Sequence, residues 1–199
     1  KQLSAPATQP EISQLRSVIG SLSWLGRICR PDICFAVNQL QAVQQKAQVR
    51  HLIEANKLLS FSMQDKNKGI FYPAKAFDFE NSILLSVTDA SHAASFENIG
   101  KNCVAGHRSQ SGRILALADP SFEQTGCGKV MLLDWHSNTI RRVCRSTLQA
   151  ETLSLLQGSE DAEHVRQIMF HLKNKATEVK KNMIYTKAMD DMKCIWCTD

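Results

Sequence analysis

The period of the hydrophobic residues changes once along this chain, near Gly69, and that change limits its fold more than any other feature. Before it, apolar residues return every three or four positions. Leu15, Val18, Ile19, Leu22, Leu25 and Ile28 share one face of a helix that starts near Glu11. Arg30-Pro31-Asp32 interrupts this pattern, and Pro31 suits the first position of a second helix whose face carries Ile33, Phe35, Ala36, Val37 and Leu40. Leu52, Ile53, Ala55, Leu58 and Leu59 predict a third helix from about Gln48 to Met63, ended by the polar stretch from Gln64 to Gly69. The expectation is a small α-helical annex over 11–66, after a leader or linker over 1–10 that is rich in Pro, Ser and Gln.

After Gly69 the signals are those of strands. Ile70-Phe71-Tyr72 is a short β-prone piece closed by Pro73. Ile83 to Thr88 is a nearly continuous apolar run of the kind that suits a central strand covered on both faces. Arg113–Ala118 and Lys129–Trp135, each preceded by glycine, predict two more strands, with a loop opening at Asp119-Pro120 between them. Ser146 and Gln149 form a capping-box pair at the start of a long helix. Leu148, Leu155, Leu156, Val165, Ile168, Met169 and Leu172 supply its buried side, and Gly158-Ser159 marks a break into two helices. Lys173 to Lys181 reads as a solvated turn, and Cys194 to Thr198 as a last strand. The order β, β, β, α, β over 67–199 predicts an α/β domain.

Hydrophobic residues make up 43% of the 199 and charged residues 22%, enough to bury a core and too apolar for a disordered tail. A net charge of +5 is compatible with a polyanionic partner, and ordinary surface charge explains it equally well. The seven cysteines are odd in number, irregularly spaced and preceded by no signal peptide, so reduced thiols in a cytosolic or nuclear setting are expected. Cys194-x-x-Cys197 lacks a second pair with zinc spacing, and on a strand its two side chains fall on opposite faces, which favours plain core or surface cysteines. No apolar run approaches a membrane span, so no membrane partner is expected. Starting at Lys1 without Met, the chain reads as an excised segment.

Three carboxylates stand out against this order. A crossover helix sets the fourth strand parallel to the first, so Asp89 and Asp199 end neighbouring strands while Glu151 overhangs them from the first turns of the helix. Carboxylates held together repel, and divalent cations are the natural compensation. Two Mg²⁺ ions roughly 3.5–4 Å apart activate a water and stabilise the leaving oxygen of a phosphodiester. Each residue alone has an ordinary explanation, a turn residue after a strand or an acid that complements a helix dipole. Only the ordered set of three points to this chemistry.

The segment Leu15 to Leu25, continued by Arg30 to Asn38 and by His51-Leu52, Ala55 and Leu58-Leu59, resembles the region after the polymerase palm in copia-type retrotransposon Pol polyproteins. Thr88-Asp89-Ala90-Ser91-His92-Ala93 resembles the first catalytic motif of the ribonuclease H of that family, with Ser91 and His92 where Asp and Trp are more frequent. Gln110-Ser111-Gly112 and Leu133 to Ser137 resemble its second and third strands, and Arg145 to Leu155 its helix with the catalytic Glu. The resemblance implies the end of a reverse transcriptase (thumb or connection) over 11–66. Over 67–199 it implies a C-terminally truncated ribonuclease H-like domain, a mixed sheet of three antiparallel strands, a helix and a parallel strand.

By that resemblance Asp89, Glu151 and Asp199 are catalytic and metal-binding, holding two Mg²⁺ ions for which Mn²⁺ substitutes. The implied substrate is the RNA strand of an RNA/DNA hybrid, attacked by water without a covalent intermediate. The other implied partners are the polymerase palm and fingers upstream, in a cytoplasmic retroelement particle or the nucleus. A fourth Asp is expected downstream of Asp199, so these 199 residues are expected to cleave weakly or not at all. The alternative is an inactive remnant that binds nucleic acid or serves as a scaffold.

Arg141, Arg142 and Arg145, before a helix N-terminus, are candidates for the hybrid backbone, extended by Arg27 and Arg30 in the annex; solvated charge is the competing reading. His92 lies near Asp89 yet fits a surface loop, while His136, Trp135 and Trp24 are expected to be structural. Asp190-Asp191, flanked by methionines in a Lys-rich connection, reads as a helix start or solvated loop and not as a polymerase Asp-Asp pair.

Overall fold

A computed structural model of the chain describes residues 2–73, 77–92, 108–173, 187–188 and 190–198. The described residues divide into two compact units: one runs to Phe71 and includes His136–Thr139, and the other comprises the rest from Tyr72 onward.

The first unit is helical. Helix α1 (Gln9–Ile28) starts two residues earlier than its hydrophobic pattern, because Thr8 caps it: the Thr8 N–H and hydroxyl both donate to the Glu11 carboxylate, at 2.8 and 2.9 Å. A 3₁₀ turn at Pro31–Ile33 leads into α2 (Cys34–Val43), and a second at Gln44–Lys46 precedes α3 (Val49–Gln64). Ile12, Leu15, Ile19 and Leu22 of α1 pack with Ile33, Val37, Leu40, Ala47 and Ala55 in one core. The residues before α1, expected to be a leader, lie along the start of α3. Ala7 N–H donates to Ala47 O, and Val49 and Arg50 N–H donate back to Ala5 and Leu3.

Arg30 is the least expected member of this unit. Expected to track nucleic acid, it is 2% exposed and held inside by Asp32, Asp65 and Phe61. Its Nε and Nη2 each donate at 2.9 Å to one oxygen of Asp32, and its Nη1 donates at 3.0 Å to Asp65 O at the end of α3. The guanidinium lies 5.5 Å from the Phe61 ring centroid, and Lys68 reaches Asp32 at 3.4 Å. Arg30 therefore fastens the α1–α2 corner to the end of α3 and is not available to a backbone phosphate.

The second unit is mixed α/β. Strand β1 (Ile83–Ser91) is central in a four-stranded sheet of order β3-β2-β1-β4. Its antiparallel neighbour β2 (Gln110–Ala118) pairs Ile83 with Ala118 through Ser91 with Gln110. A one-turn helix α4 (Phe122–Thr125) ends at Gly126, whose φ of 65° explains the glycine, and leads to β3 (Val130–Thr139). Bonds from Asp119 N–H to Lys129 O and from Ile140 N–H to Ser109 O mark the two ends of the β2–β3 pair. After α5 (Thr147–Lys173), β4 (Cys194–Cys197) pairs parallel with β1, Leu84 with Cys194 through Val87 with Cys197. Three antiparallel strands and one parallel strand make the sheet.

Three expectations fail here. Of the residues expected on the buried side of α5, Leu148, Leu156, Ile168 and Leu172 are exposed, because the face against the sheet is the stripe of small residues Ala150, Ser154, Gly158 and Ala162. Ile70–Tyr72 is not a strand; Tyr72 instead donates its phenol to Leu132 O at 2.9 Å. Gly158-Ser159 does not break α5, which runs through as one 27-residue helix. The glycine serves close packing: a Cβ at Gly158 would overlap the Thr88 methyl. Alternation along β1 puts Leu84, Ser86, Thr88 and Ala90 on the α5 face, and Ile83, Leu85 and Val87 on the other.

Candidate functional site

Small residues at four-residue steps along α5 set where its acidic turn lies. Ala150 packs with Ala90, Ser154 bonds to Asp89, Gly158 meets Thr88 and Ser86, and Ala162 packs with Leu84. The helix therefore runs antiparallel to β1 with its backbone close against the strand. Its first turns, including Glu151, arrive at the C-terminal end of β1.

Asp89 lies two residues before the end of β1, opposite Gly112 of β2, inside the strand and not after it. Alternation carries its exposed side chain to the face opposite Thr88 and Ala90. Glu151 is half-buried on the covered face, so the two carboxylates flank the same strand end from its two faces. What joins them is a bond absent from every expectation above. The Ser154 hydroxyl, one turn after Glu151, donates at 2.9 Å to the Asp89 main-chain carbonyl and lies 2.7 Å from the Ser111 hydroxyl. The signal in the sequence was the run Ala150, Ser154, Gly158, Ala162, a flat face every fourth residue.

Asp199 lies outside the described residues. Strand β4 runs parallel to β1, toward the Asp89 end of the sheet, and exposed Thr198 follows it. Among the described residues no three His, Cys, Asp or Glu side chains converge to hold a metal. Asp89 and Glu151 are oxygen donors of the type a hard divalent cation takes, and they lie at the same end of one strand.

Arg141, Arg142 and Arg145 are all exposed just ahead of α5, whose start is capped. Ser146 Oγ accepts the Gln149 N–H at 3.2 Å, while the Gln149 side chain accepts from Arg145 N–H at 2.8 Å, one residue earlier than a standard capping box. His92 is exposed, with Nδ1 3.3 Å from the buried Ser109 hydroxyl. His136 lies within β3 and not at its end, and Trp135 beside it is buried as expected. Trp24 is the opposite case: expected in the core, it is 67% exposed. Arg16, Gly20 and Arg27 are exposed with it at helical spacing on α1, because Leu15, Ile19 and Leu22 already fill the buried face.

Asp190 and Asp191 are helical and exposed, with Asp191 3.5 Å from Lys173. Cys194 packs with the α5-side core and Cys197 with the opposite one, as the strand offset requires. Burial pushes the Cys194 thiol up to about 11, partly offset by Arg166, so it is protonated at neutral pH and a poor metal or redox ligand. Cys103 lies outside the described residues; the other six cysteines are thiols not joined in disulfides. Among the described residues no helix is long and apolar enough to cross a membrane. No protein-family model matches the chain, and comparison with curated proteins gives no match.

Proposed function

We propose that the second unit is the ribonuclease H-like module of a copia-type retrotransposon Pol polyprotein, hydrolysing the RNA strand of RNA/DNA hybrids. The supporting observation is the arrival of the Glu151 turn at the Asp89 end of the central strand, with parallel β4 directed the same way. A mixed sheet of three antiparallel strands and one parallel strand is compatible with that fold. In this reading Asp89 and Glu151, with Asp199, hold Mg²⁺, for which Mn²⁺ substitutes. Bound metal supplies charge neutralisation and activation of water at the phosphodiester. The chain positions its carboxylates by strand register and by the seat of α5. Arg141, Arg142 and Arg145 offer exposed positive charge to the hybrid backbone beside that end.

The test is Mg²⁺-dependent cleavage of the RNA strand of a labelled hybrid. Glu151→Gln keeps the shape and removes the charge, and is expected to lower the rate at least about tenfold, ~1.4 kcal/mol in barrier. Slow cleavage suffices, because the comparison is internal. A Glu151→Gln chain as fast as the unaltered one overturns the assignment. A chain that binds hybrid and cuts nothing favours the second reading.

That second reading, a nucleic-acid-binding module without chemistry, is favoured by one observation: the exposed Trp24 between Arg16 and Arg27 on α1. An exposed indole flanked by cations suits stacking on a base or sugar. Trp24→Ala is expected to weaken hybrid binding roughly fivefold, about 1 kcal/mol, by fluorescence anisotropy. Unchanged affinity would remove this helix face from the interface.

A further inference from the structure

We infer that the buried hydroxyl pair Ser111–Ser154 is a positioning device for the Asp89–Glu151 carboxylates, an inference that rests on the metal-carboxylate reading above. Ser154 is 1% exposed and Ser111 4%. Each hydroxyl has one proton to donate. The Ser154 proton goes to the Asp89 carbonyl at 2.9 Å, so the 2.7 Å contact between the hydroxyls has Ser111 donating to Ser154. The result is a directed chain from β2 through α5 to β1, sheltered from water, where hydrogen bonds reinforce one another.

The place of this chain is what gives it a role. Its last acceptor is the carbonyl of the residue that carries one candidate ligand, and its middle member sits three residues after the other. Packing by Ala150, Gly158 and Ala162 keeps α5 close to the sheet, but apolar contacts between small groups permit sliding along the strand. A hydrogen bond does not, because its strength falls steeply with distance and angle. Ser154 thus fixes the axial register of α5 on β1, and with it the offset between Asp89 and Glu151. A second-neighbour hydrogen bond of this kind orients ligands without touching the ion. Alanine at 154 matches the small residues of the same stripe, so the fold is expected to survive its introduction.

The test is a Mn²⁺ titration of the 199-residue chain by electron paramagnetic resonance, with circular dichroism recorded at the same temperature. Glu151→Gln is expected to abolish the tightest binding. Ser154→Ala is expected to weaken it about tenfold with an unchanged spectrum, near the low end for loss of an outer partner of a metal ligand. A merely structural serine would lower the melting temperature and leave Mn²⁺ affinity unmoved in the folded state. Affinity within about twofold of the unaltered chain, with Glu151→Gln still deficient, overturns this inference alone. No Glu151-dependent Mn²⁺ binding in the unaltered chain overturns the metal-carboxylate reading and this inference with it. Should Ser154→Ala not fold, Ser111→Ala decides: it keeps the bond from Ser154 to Asp89 but removes the hydroxyl that donates to Ser154, and is expected to weaken binding about threefold, with no change overturning the inference.

Discussion

Asp32→Asn is expected to destabilise the chain by about 3 kcal/mol, measured by urea unfolding followed through helical ellipticity. The substitution is isosteric, so packing is unchanged and the loss is electrostatic. It presents an amide NH₂ to an Arg30 N–H, donor against donor, and leaves a guanidinium that is 2% exposed without its counter-charge. Asp65 O and the Phe61 ring remain as uncharged partners, and the Asp65 carboxylate acts on the guanidinium only as a weaker charge. The figure sits at the low end for breaking a buried pair because Asp32 keeps 30% of its side-chain surface. Arg30→Met is expected to cost less, about 1–2 kcal/mol, since it strands the more exposed partner, which still has Lys68 at 3.4 Å. The opposite ranking would show that the pair is not the buried lock described here.

The same pair sets a pH dependence. The Arg30 guanidinium holds the Asp32 carboxyl below the usual carboxylate range, against an opposing push from burial, and Lys68 adds to the lowering. A folded pKa below the unfolded value means that stability from this group is complete above about pH 4 and is lost as pH falls through the folded pKa. Acid unfolding monitored below pH 4 is therefore expected to have a shallower slope in Asp32→Asn than in the unaltered chain.

The elements legible in the sequence are those whose burial has a period. Leu15, Ile19 and Leu22 on α1 and the apolar run of β1 predicted a helix and a central strand, and both are present. Positions defined by close approach or by polar burial had no such signal. Arg30 looked like a surface cation because nothing local says that Asp32, Asp65 and Phe61 will meet around it. Trp24 looked like core because an indole usually is, yet the helix face it occupies is not the one that carries Leu15, Ile19 and Leu22. At the candidate site, the placement of Asp89 in a strand and of Glu151 in the first turns of a helix was legible from strand and helix patterns, whereas the bond between Ser111 and Ser154 was not. A serine inside a helix or strand has no distinctive pattern until two of them are brought together across 43 residues.

Gly158→Ala is expected to destabilise the second unit by about 2 kcal/mol, although alanine is the better helix former by about 1 kcal/mol. The new methyl would overlap the Thr88 methyl, which is buried on a β-branched side chain with little freedom to rotate away. The helix would have to lift from β1, stretching the contact from Ser86 Oγ to Gly158 O and the bond from Ser154 to Asp89. A second variant tests the sign of the effect. Thr88→Ser removes the obstructing methyl and is expected to cost about 1 kcal/mol alone, in lost burial. Thr88→Ser with Gly158→Ala moves one methyl from strand to helix at constant volume. It is expected to be no less stable than Thr88→Ser alone, a coupling of about 2 kcal/mol in a double-mutant cycle. Additive losses would show that Gly158 is required for backbone flexibility and not for contact. If the coupling is found, the break expected at Gly158 is instead the point where α5 is pressed hardest against the strand that carries Asp89.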